Sequence, residues 1–314
     1  MIVLRWIGRL LAGLLLLLVL SVVYLWWSNR DLSPEYVEAK YGGEGLMQAD
    51  ILGVPVRYKV EGSGPPLVLL HSHFFSMRLW QPWVDILKDD FTVVRYDLTN
   101  HGLTGPDPTE DYSRERGMNL LLGLMDHLGY PRFHLGGSST GGAIAWYTAA
   151  RHPERIDKLI LVNAPGMPRV TNKYMDQALP GWFGYVLYLL PKELFRAFLQ
   201  SPIVDDSLVT DDMLTEFHEL YRREGNRMGE FHRMRAYDKS DPRPDLARII
   251  APTLIQWGEA NPQLPVEHVA QYEAALTQAA SVTPIVYPGV GHVLPIEAPE
   301  ASARDARNFL LGAL

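Results

Sequence analysis

The stretch HLGGSSTGGA, residues 134–143, places two serines between two pairs of glycines. It follows an apolar run that predicts a buried strand and opens a run that predicts a helix. A serine on such a sharp strand-to-helix turn can act as a nucleophile when small residues flank it at two positions on either side. Ser139 has Gly137 and Gly141 at those positions, whereas the serine before it has a branched threonine on one side. The pattern therefore favours Ser139 as a nucleophile.

On both sides of this stretch, predicted strands alternate with predicted helices. The strand runs are VPVRYKV (54–60), PLVLLH (66–71), FTVVRYD (91–97), FHLGG (133–137), DKLILVN (157–163), APTLIQWG (251–258) and TPIVYPG (283–289). Helical patterns lie between them, and such alternation predicts an α/β fold, with a mostly parallel sheet covered by helices on both faces. The alternation stops over residues 165–250, which are rich in aromatic and charged residues. We expect an inserted helical cap there, and a linker over residues 31–45.

The N-terminal 30 residues predict a transmembrane anchor. Residues 6–27 are almost entirely apolar, about the length that crosses a bilayer, and Tyr24, Trp26 and Trp27 suit a membrane interface. A cleaved signal peptide is the alternative, but the run is long and bulky residues stand where a cleavage site needs small ones. Arg5 and Arg9 favour a cytoplasmic N-terminus. The remaining chain is then expected outside the cytoplasm, in the periplasm if the source is bacterial.

Composition excludes several classes of site. The net charge of −7 argues against a nucleic-acid partner, which would require a basic surface. The chain has no cysteine, so disulfides, thiolate catalysis and Cys-ligated zinc are excluded. The HSH sequence at residues 71–73 could be a metal-binding pair, but further ligands of that pattern do not follow. We predict no metal, no cofactor and no nucleic acid, and the sequence does not predict an oligomeric state.

Residues 46–314 resemble the α/β-hydrolase superfamily, in particular its capped epoxide hydrolases and carbon–carbon hydrolases. The resemblance is carried by DLTNHGLTGPDPTEDYS (97–113), RFHLGGSSTGGAIAW (132–146) and YPGVGHVLPIEAPE (287–300). It implies an eight-stranded sheet, with residues 46–164 and 251–314 forming the core and residues 165–250 the cap. It also implies His292 as the general base that takes the proton of Ser139.

The resemblance implies an oxyanion hole made by the backbone N–H groups of His73 and Thr140. Ser72 stands where the family usually has glycine, so this loop must accommodate a Cβ or shift.

The acid of a Ser-His-Asp triad is missing at both positions that the family uses, since these are Asn261 and Asn163. Three alternatives follow. The amide oxygen of Asn261 accepts a hydrogen bond from His292 in a slow Ser-His-Asn enzyme, or Glu259 serves as the acid, or the site has lost catalysis and only binds.

The expected activity is hydrolysis of an ester or related acyl substrate with a hydrophobic group, through a Ser139 acyl-enzyme. Phe74 and the cap residues Trp182, Phe183 and Tyr185 are expected to contact this small-molecule substrate. The first alternative is a degenerate hydrolase that serves as a binding or scaffold protein. Acyl transfer or perhydrolysis from the same acyl-enzyme is the second.

Overall fold

The sheet of this protein has eight strands. Its structure, a computed structural model, describes residues 2–167, 180–235 and 240–314. The strands are β1 (Met47–Ile51), β2 (Val54–Glu61), β3 (Pro66–Leu70), β4 (Thr92–Tyr96), β5 (Phe133–Ser138), β6 (Ile156–Val162), β7 (Thr253–Gly258) and β8 (Val282–Tyr287). Their order in the sheet is β1-β2-β4-β3-β5-β6-β7-β8, and every pairing after β4 is parallel. The prediction of a mostly parallel eight-stranded sheet is confirmed.

Helices cover both faces of the sheet. They are α1 (Ile2–Ser28), α2 (Pro34–Tyr41), α3 (Gln81–Leu87), α4 (Arg114–His127), α5 (Thr140–Arg151), α6 (Phe183–Val186), α7 (Lys192–Gln200), α8 (Asp211–Tyr221), α9 (Asn226–Arg235), α10 (Arg243–Leu246), α11 (His268–Ala275), α12 (Leu294–Glu297) and α13 (Pro299–Leu311). Trp146 of α5 lies in the apolar cluster on one face, and Trp83 of α3 lies in the cluster on the other. The central strands are mostly apolar because both of their faces are covered.

The segment between β6 and β7 carries the helices that the sequence predicted as a cap. Helices α6 to α9 lie in it, and α7 and α8 pack on each other around Phe195, Leu199 and Leu214. The last helix differs from the expectation, because Leu246 of α10 is buried in the core cluster with Trp146. Residues 168–179 and 236–239 of the predicted cap lie outside the described residues.

The linker predicted for residues 31–45 contains a packed helix, so that prediction is wrong over α2. Ser33 caps this helix, since its Oγ accepts a hydrogen bond from the N–H of Tyr36, and Pro34 suits the first turn. Val37 and Tyr41 are four residues apart, so they share one helix face and are buried with Met77 and residues of α8. This pair was too short a pattern to indicate a helix by itself.

Helix α1 is long and apolar enough to cross a membrane over Arg5–Ser28, and its most apolar window is not buried against the rest of the protein. An apolar surface of this extent is unfavourable in water, because the side chains of this window do not pack against protein.

Candidate active site

The turn at Ser139 is strained in the way that a nucleophile elbow requires. β5 ends at Ser138, α5 begins at Thr140, and Ser139 between them has φ 49° and ψ −120°. Positive φ is unfavourable for a residue with a Cβ, so the surroundings must impose it. A Cβ on Gly137 would lie 2.3 Å from the carbonyl oxygen of Gly141, and one on Gly141 would lie 2.3 Å from that of Leu70. The two flanking glycines are therefore required by close backbone contacts.

The structure separates the roles of the two serines. Ser138 is fully buried, and its Oγ accepts a hydrogen bond of 2.8 Å from the Oγ of Ser72. Ser139 is half-buried and lines a cavity of about 110 Å³ together with His73 and His292. Of the two serines, Ser139 is therefore the one that lines a cavity together with a histidine.

His292 is held by contacts to the backbone around it. The backbone N–H of His292 donates to the carbonyl of Pro202 in the cap, at 2.7 Å. Glu297 accepts hydrogen bonds from the N–H groups of Gly291 and Val293, at 2.9 and 3.0 Å. The buried Asn163, at the second position that the family uses for an acid, donates from Nδ2 to the carbonyl of His292 at 2.7 Å. Asn163 therefore holds the loop that carries His292.

Asn261 lies against the imidazole, as predicted, but its amide is oriented the opposite way. Its Oδ1 accepts hydrogen bonds from the N–H groups of Gln263 and Leu264, both at 3.0 Å. The Nδ2 group therefore faces His292 Nδ1 at 3.0 Å, and an NH₂ group can only donate. The expectation that the amide oxygen accepts from His292 is wrong, because two backbone donors already occupy that oxygen.

This contact favours one tautomer of the neutral imidazole. Since Nδ1 of His292 accepts from Asn261, the ring proton lies on Nε2. A general base needs the reverse arrangement, with a free lone pair on Nε2 to take the serine proton. The contact with Asn261 therefore favours the tautomer of His292 that suits a general base less well.

Glu259, the alternative acid, is exposed, and its carboxylate accepts a hydrogen bond from the N–H of Gly289 at 3.3 Å. This contact gives no support to Glu259 as the partner of His292.

The loop after β3 carries the predicted oxyanion residue His73 and lies beside Ser139. Ser72 is buried in it, and its hydroxyl bonds to Ser138, so the Cβ is accommodated by a contact between two serines. Phe74 has φ 63° and lines the cavity, in agreement with its predicted position. Thr140, the other predicted donor, is the first residue of α5, where helix N–H groups lack partners within the helix.

A polar cluster that the sequence did not indicate connects this loop to the cap. His101 donates from Nδ1 to the carbonyl of Thr99 at 2.9 Å, so its Nε2 accepts from His73 Nδ1 at 3.2 Å. His73 Nε2 in turn accepts from Arg233 of α9 at 2.9 Å. Glu230, almost fully buried, holds the guanidinium of Arg233 through both carboxylate oxygens, at 2.9 Å each.

The same cluster has the composition of a metal site, since ligand atoms of His73, His101 and Glu230 lie within 4.8 Å of one another. The guanidinium of Arg233 already balances the carboxylate there. Burial lowers the pKa of His101 well below its usual value, so its ring is neutral. Burial raises the pKa of Glu230, but the Arg233 guanidinium that it binds through both oxygens outweighs burial and holds that pKa well below its usual range. The negative charge in this cluster is therefore balanced by a side chain of the protein, Arg233.

The aromatic residues predicted to contact substrate are only partly at the cavity. Phe74 lines it, together with Phe198 and Leu199 of α7. Trp182 and Tyr185 lie on the surface and Phe183 is half-buried, and none of the three lines this cavity. Composition indicated an apolar cap, but it could not show which of its apolar side chains face inward.

Comparison with known proteins agrees with the fold. The family model described as alpha/beta hydrolase fold matches residues 65–299, more than half of the chain. The 2-hydroxy-6-oxo-6-phenylhexa-2,4-dienoate hydrolase of Comamonas testosteroni is 28% identical over 243 residues, which cover 71% of this chain and 80% of that protein. Epoxide hydrolase 3 of Xenopus tropicalis is 25% identical over 319 residues, covering 90% of this chain and 82% of that protein.

Among solved structures, one described as a membrane phospholipase A, a bacterial virulence factor, superposes with a TM-score of 0.73 at 24% identity. The superposition covers 98% of this chain and 99% of that one. The strand order, the strained serine turn and the match over residues 65–299 lead to one conclusion: this chain belongs to the α/β-hydrolase family and is a hydrolase of that type.

Proposed function

We propose that this protein hydrolyses a carboxylic ester with a hydrophobic acyl group through a covalent Ser139 intermediate. The strained backbone of Ser139, in a cavity shared with His292 and His73, is the observation that carries this proposal. The Oγ of Ser139 attacks the ester carbonyl and its proton passes to Nε2 of His292. The tetrahedral oxyanion lies against the N–H groups of His73 and Thr140. The alcohol leaves with the proton from His292, and water then hydrolyses the acyl-enzyme.

Two features support a hydrophobic ester. The cavity is lined by Phe74, Phe198 and Leu199, and α1 is long and apolar enough to span a membrane. The structural relative described as a membrane phospholipase A agrees with an ester drawn from lipid.

The proposed reaction is slow in the resting tautomer. Before attack, His292 must move its ring proton to Nδ1, which places an N–H opposite the Nδ2–H of Asn261. That repulsion raises the barrier, and the neutral amide of Asn261 offers no negative charge to the imidazolium.

The orientation of Asn261 also favours a second candidate function, in which the cavity binds an acyl compound without turnover. A donor at this position suits a histidine that never needs to become a base.

A fluorophosphonate probe, which phosphonylates activated serines, tests the proposal on the full chain. We expect slow labelling of the native protein and no labelling of Ser139→Ala, with the site of modification located by mass spectrometry. Ser138→Ala is the matched control and should still be labelled, since Ser138 lies outside the cavity. If the probe labels Asn261→Asp but not the native protein, the native site has Ser139 and His292 in position but does not activate the serine. The binding function is then favoured.

A further inference from the structure

The cap carries a group of exposed apolar side chains that the packing of the protein does not explain. Trp182, Tyr185, Leu194, Phe198 and Val204 are each between 50 and 70% exposed. We refer to these five residues as the cap patch. The surfaces of soluble proteins rarely expose so many large apolar side chains in one short segment. Exposed apolar patches of this kind mark sites that contact another protein, a ligand or a membrane.

Helix α7 shows why folding leaves this surface uncovered. Phe195 and Leu199 lie on the face that is buried against α8, while Leu194 and Phe198 lie four residues apart on the exposed face. The helix is therefore apolar on two sides, but the described protein covers only one of them. An apolar outer face is typical of a helix that lies on a second surface.

The end of the predicted membrane span is attached to this same cap. Leu32 forms a β-bridge with Arg223, and the guanidinium of Arg222 donates to the carbonyl of Arg30 at 2.8 Å. Asp31 pairs with Arg227, which stacks on the ring of Tyr188 at 4.0 Å. These contacts join the chain directly after α1 to the junction of α8 and α9, and α1 itself contacts the turn 187–189 that follows α6.

We propose that the cap patch lies in the interface of the bilayer that α1 spans. The attachment keeps the patch close to the point where α1 leaves the membrane. Trp, Tyr and Phe side chains are those that favour the boundary between headgroups and acyl chains. Arg30 follows the span by two residues, and Lys192 lies within the stretch that carries the patch; such basic side chains suit anionic headgroups.

Phe198 belongs both to the cap patch and to the lining of the Ser139 cavity. The cavity therefore opens where the patch touches lipid, so an acyl chain can enter without crossing water. The substrate class that follows is an ester of a bilayer lipid. The docking of the patch is independent of catalysis, whereas this substrate class rests on the proposed function.

The absence of cysteine allows a direct test of docking, because a single introduced cysteine labels one position. A fluorophore is placed at Tyr185→Cys or Leu194→Cys, with Leu52→Cys and Leu311→Cys as similarly exposed controls in the core domain. The full chain is reconstituted into phosphatidylcholine–phosphatidylglycerol vesicles. We expect nitroxide-labelled lipids to quench the two cap labels and aqueous iodide to quench the two controls. Equal iodide quenching at all four positions would overturn the proposal. Protection of the cap labels from both quenchers would also overturn it, by showing that protein covers the patch.

A second experiment tests substrate entry. The double variant Tyr185→Ser/Leu194→Ser leaves the cavity lining unchanged. We expect it to hydrolyse an ester embedded in vesicles roughly tenfold more slowly at dilute lipid, because interfacial binding scales with buried apolar area. Hydrolysis of a soluble short-chain ester should stay unchanged. Equal loss on both substrates, or loss on neither, contradicts the lipid-facing entrance. If no ester is hydrolysed at all, the proposed function fails while the quenching result still decides whether the patch docks.

Discussion

At the residue scale, Asn261 shows what a single amide changes in this site. An aspartate there would use one oxygen for the N–H groups of Gln263 and Leu264 and the other for Nδ1–H of His292. The asparagine keeps the first pair of hydrogen bonds and reverses the direction of the second. The backbone contacts of this position are therefore those that an aspartate would make, while the amide favours a ring proton on Nε2 of His292, the wrong nitrogen for a general base.

We predict that Asn261→Asp raises kcat/KM for a soluble ester by roughly 10²- to 10⁴-fold, since the reverse change costs about 10⁴ in a serine-protease triad. The new carboxylate would accept hydrogen bonds from the N–H groups of Gln263 and Leu264 and from Nδ1–H of His292, which are already in position. Ester hydrolysis at neutral pH measures the gain. Asn163→Asp is the control and should lower activity, because its carboxylate would face the carbonyl oxygen of His292, 2.7 Å from the present Nδ2. A gain in that control instead would assign the acid position to residue 163.

The tight backbone contacts at the serine turn give a second residue-scale prediction. A Cβ at Gly141 would lie 2.3 Å from the carbonyl oxygen of Leu70 and 2.7 Å from that of His71. We expect Gly141→Ala to lower the free energy of unfolding by about 3 kcal/mol, since neither backbone atom can move cheaply. Urea unfolding measures this loss. Gly181→Ala, where a Cβ meets nothing within 4 Å, should change stability little.

At the element scale, α9 connects the cap to the loop that carries the oxyanion donor. The chain of hydrogen bonds runs from Arg233 through the rings of His73 and His101 to the backbone of Thr99. Glu230 anchors Arg233 and also accepts from Asn100 Nδ2 at 3.2 Å. Since His73 supplies a predicted oxyanion N–H, the position of the cap is coupled to the geometry of the hole.

We predict that Arg233→Gln lowers kcat for a soluble ester roughly tenfold with little change in KM, because the oxyanion forms only in the transition state. Arg233→Lys should recover part of the loss through a single donor. Arg235→Gln, at an exposed position of the same helix, is the control and should behave like the native protein. A fall in thermal stability without a change in kcat would show that Arg233 only holds the cap in place.

At the scale of the whole molecule, the buried histidines make stability depend on pH. Burial lowers the pKa of His71 and of His218 to about 4 and that of His101 well below its usual value. A histidine whose folded pKa is depressed contributes stability that is fully present above about pH 6.5 and is lost as pH falls toward 4. Asp97 acts in the opposite direction, since burial raises its pKa to about 6. The three histidines outweigh the single aspartate, so the net stability falls as the pH is lowered.

We therefore expect the free energy of unfolding to fall by at least about 3 kcal/mol between pH 7 and pH 4, because His71 and His218 each contribute about 3 kcal/mol and Asp97 offsets one of them. The loss at His101 adds to this fall. Urea unfolding of the full chain in detergent at several pH values measures this dependence. His218→Gln should flatten it, whereas His152→Gln, on the surface, should not. Stability that stays constant or rises toward pH 4 would contradict the prediction.

The sequence by itself determined the sheet, its parallel strands, the helices around it and the choice of Ser139. These features follow from local patterns: apolar runs of strand length, amphipathic runs of helix length, and glycines at two fixed distances from one serine. The packed helix α2 escaped prediction because its signal is two apolar residues whose partners lie far along the chain.

Only the tertiary structure decided the direction of the Asn261 amide, the contact between Ser72 and Ser138, and the Glu230–Arg233 link to His73. It also decided that Phe198 faces the cavity while Trp182 and Tyr185 face outward. Each of these depends on which groups from distant parts of the chain compete for one donor, one acceptor or one surface. That competition exists only once the chain has folded, so no local pattern could have shown its result.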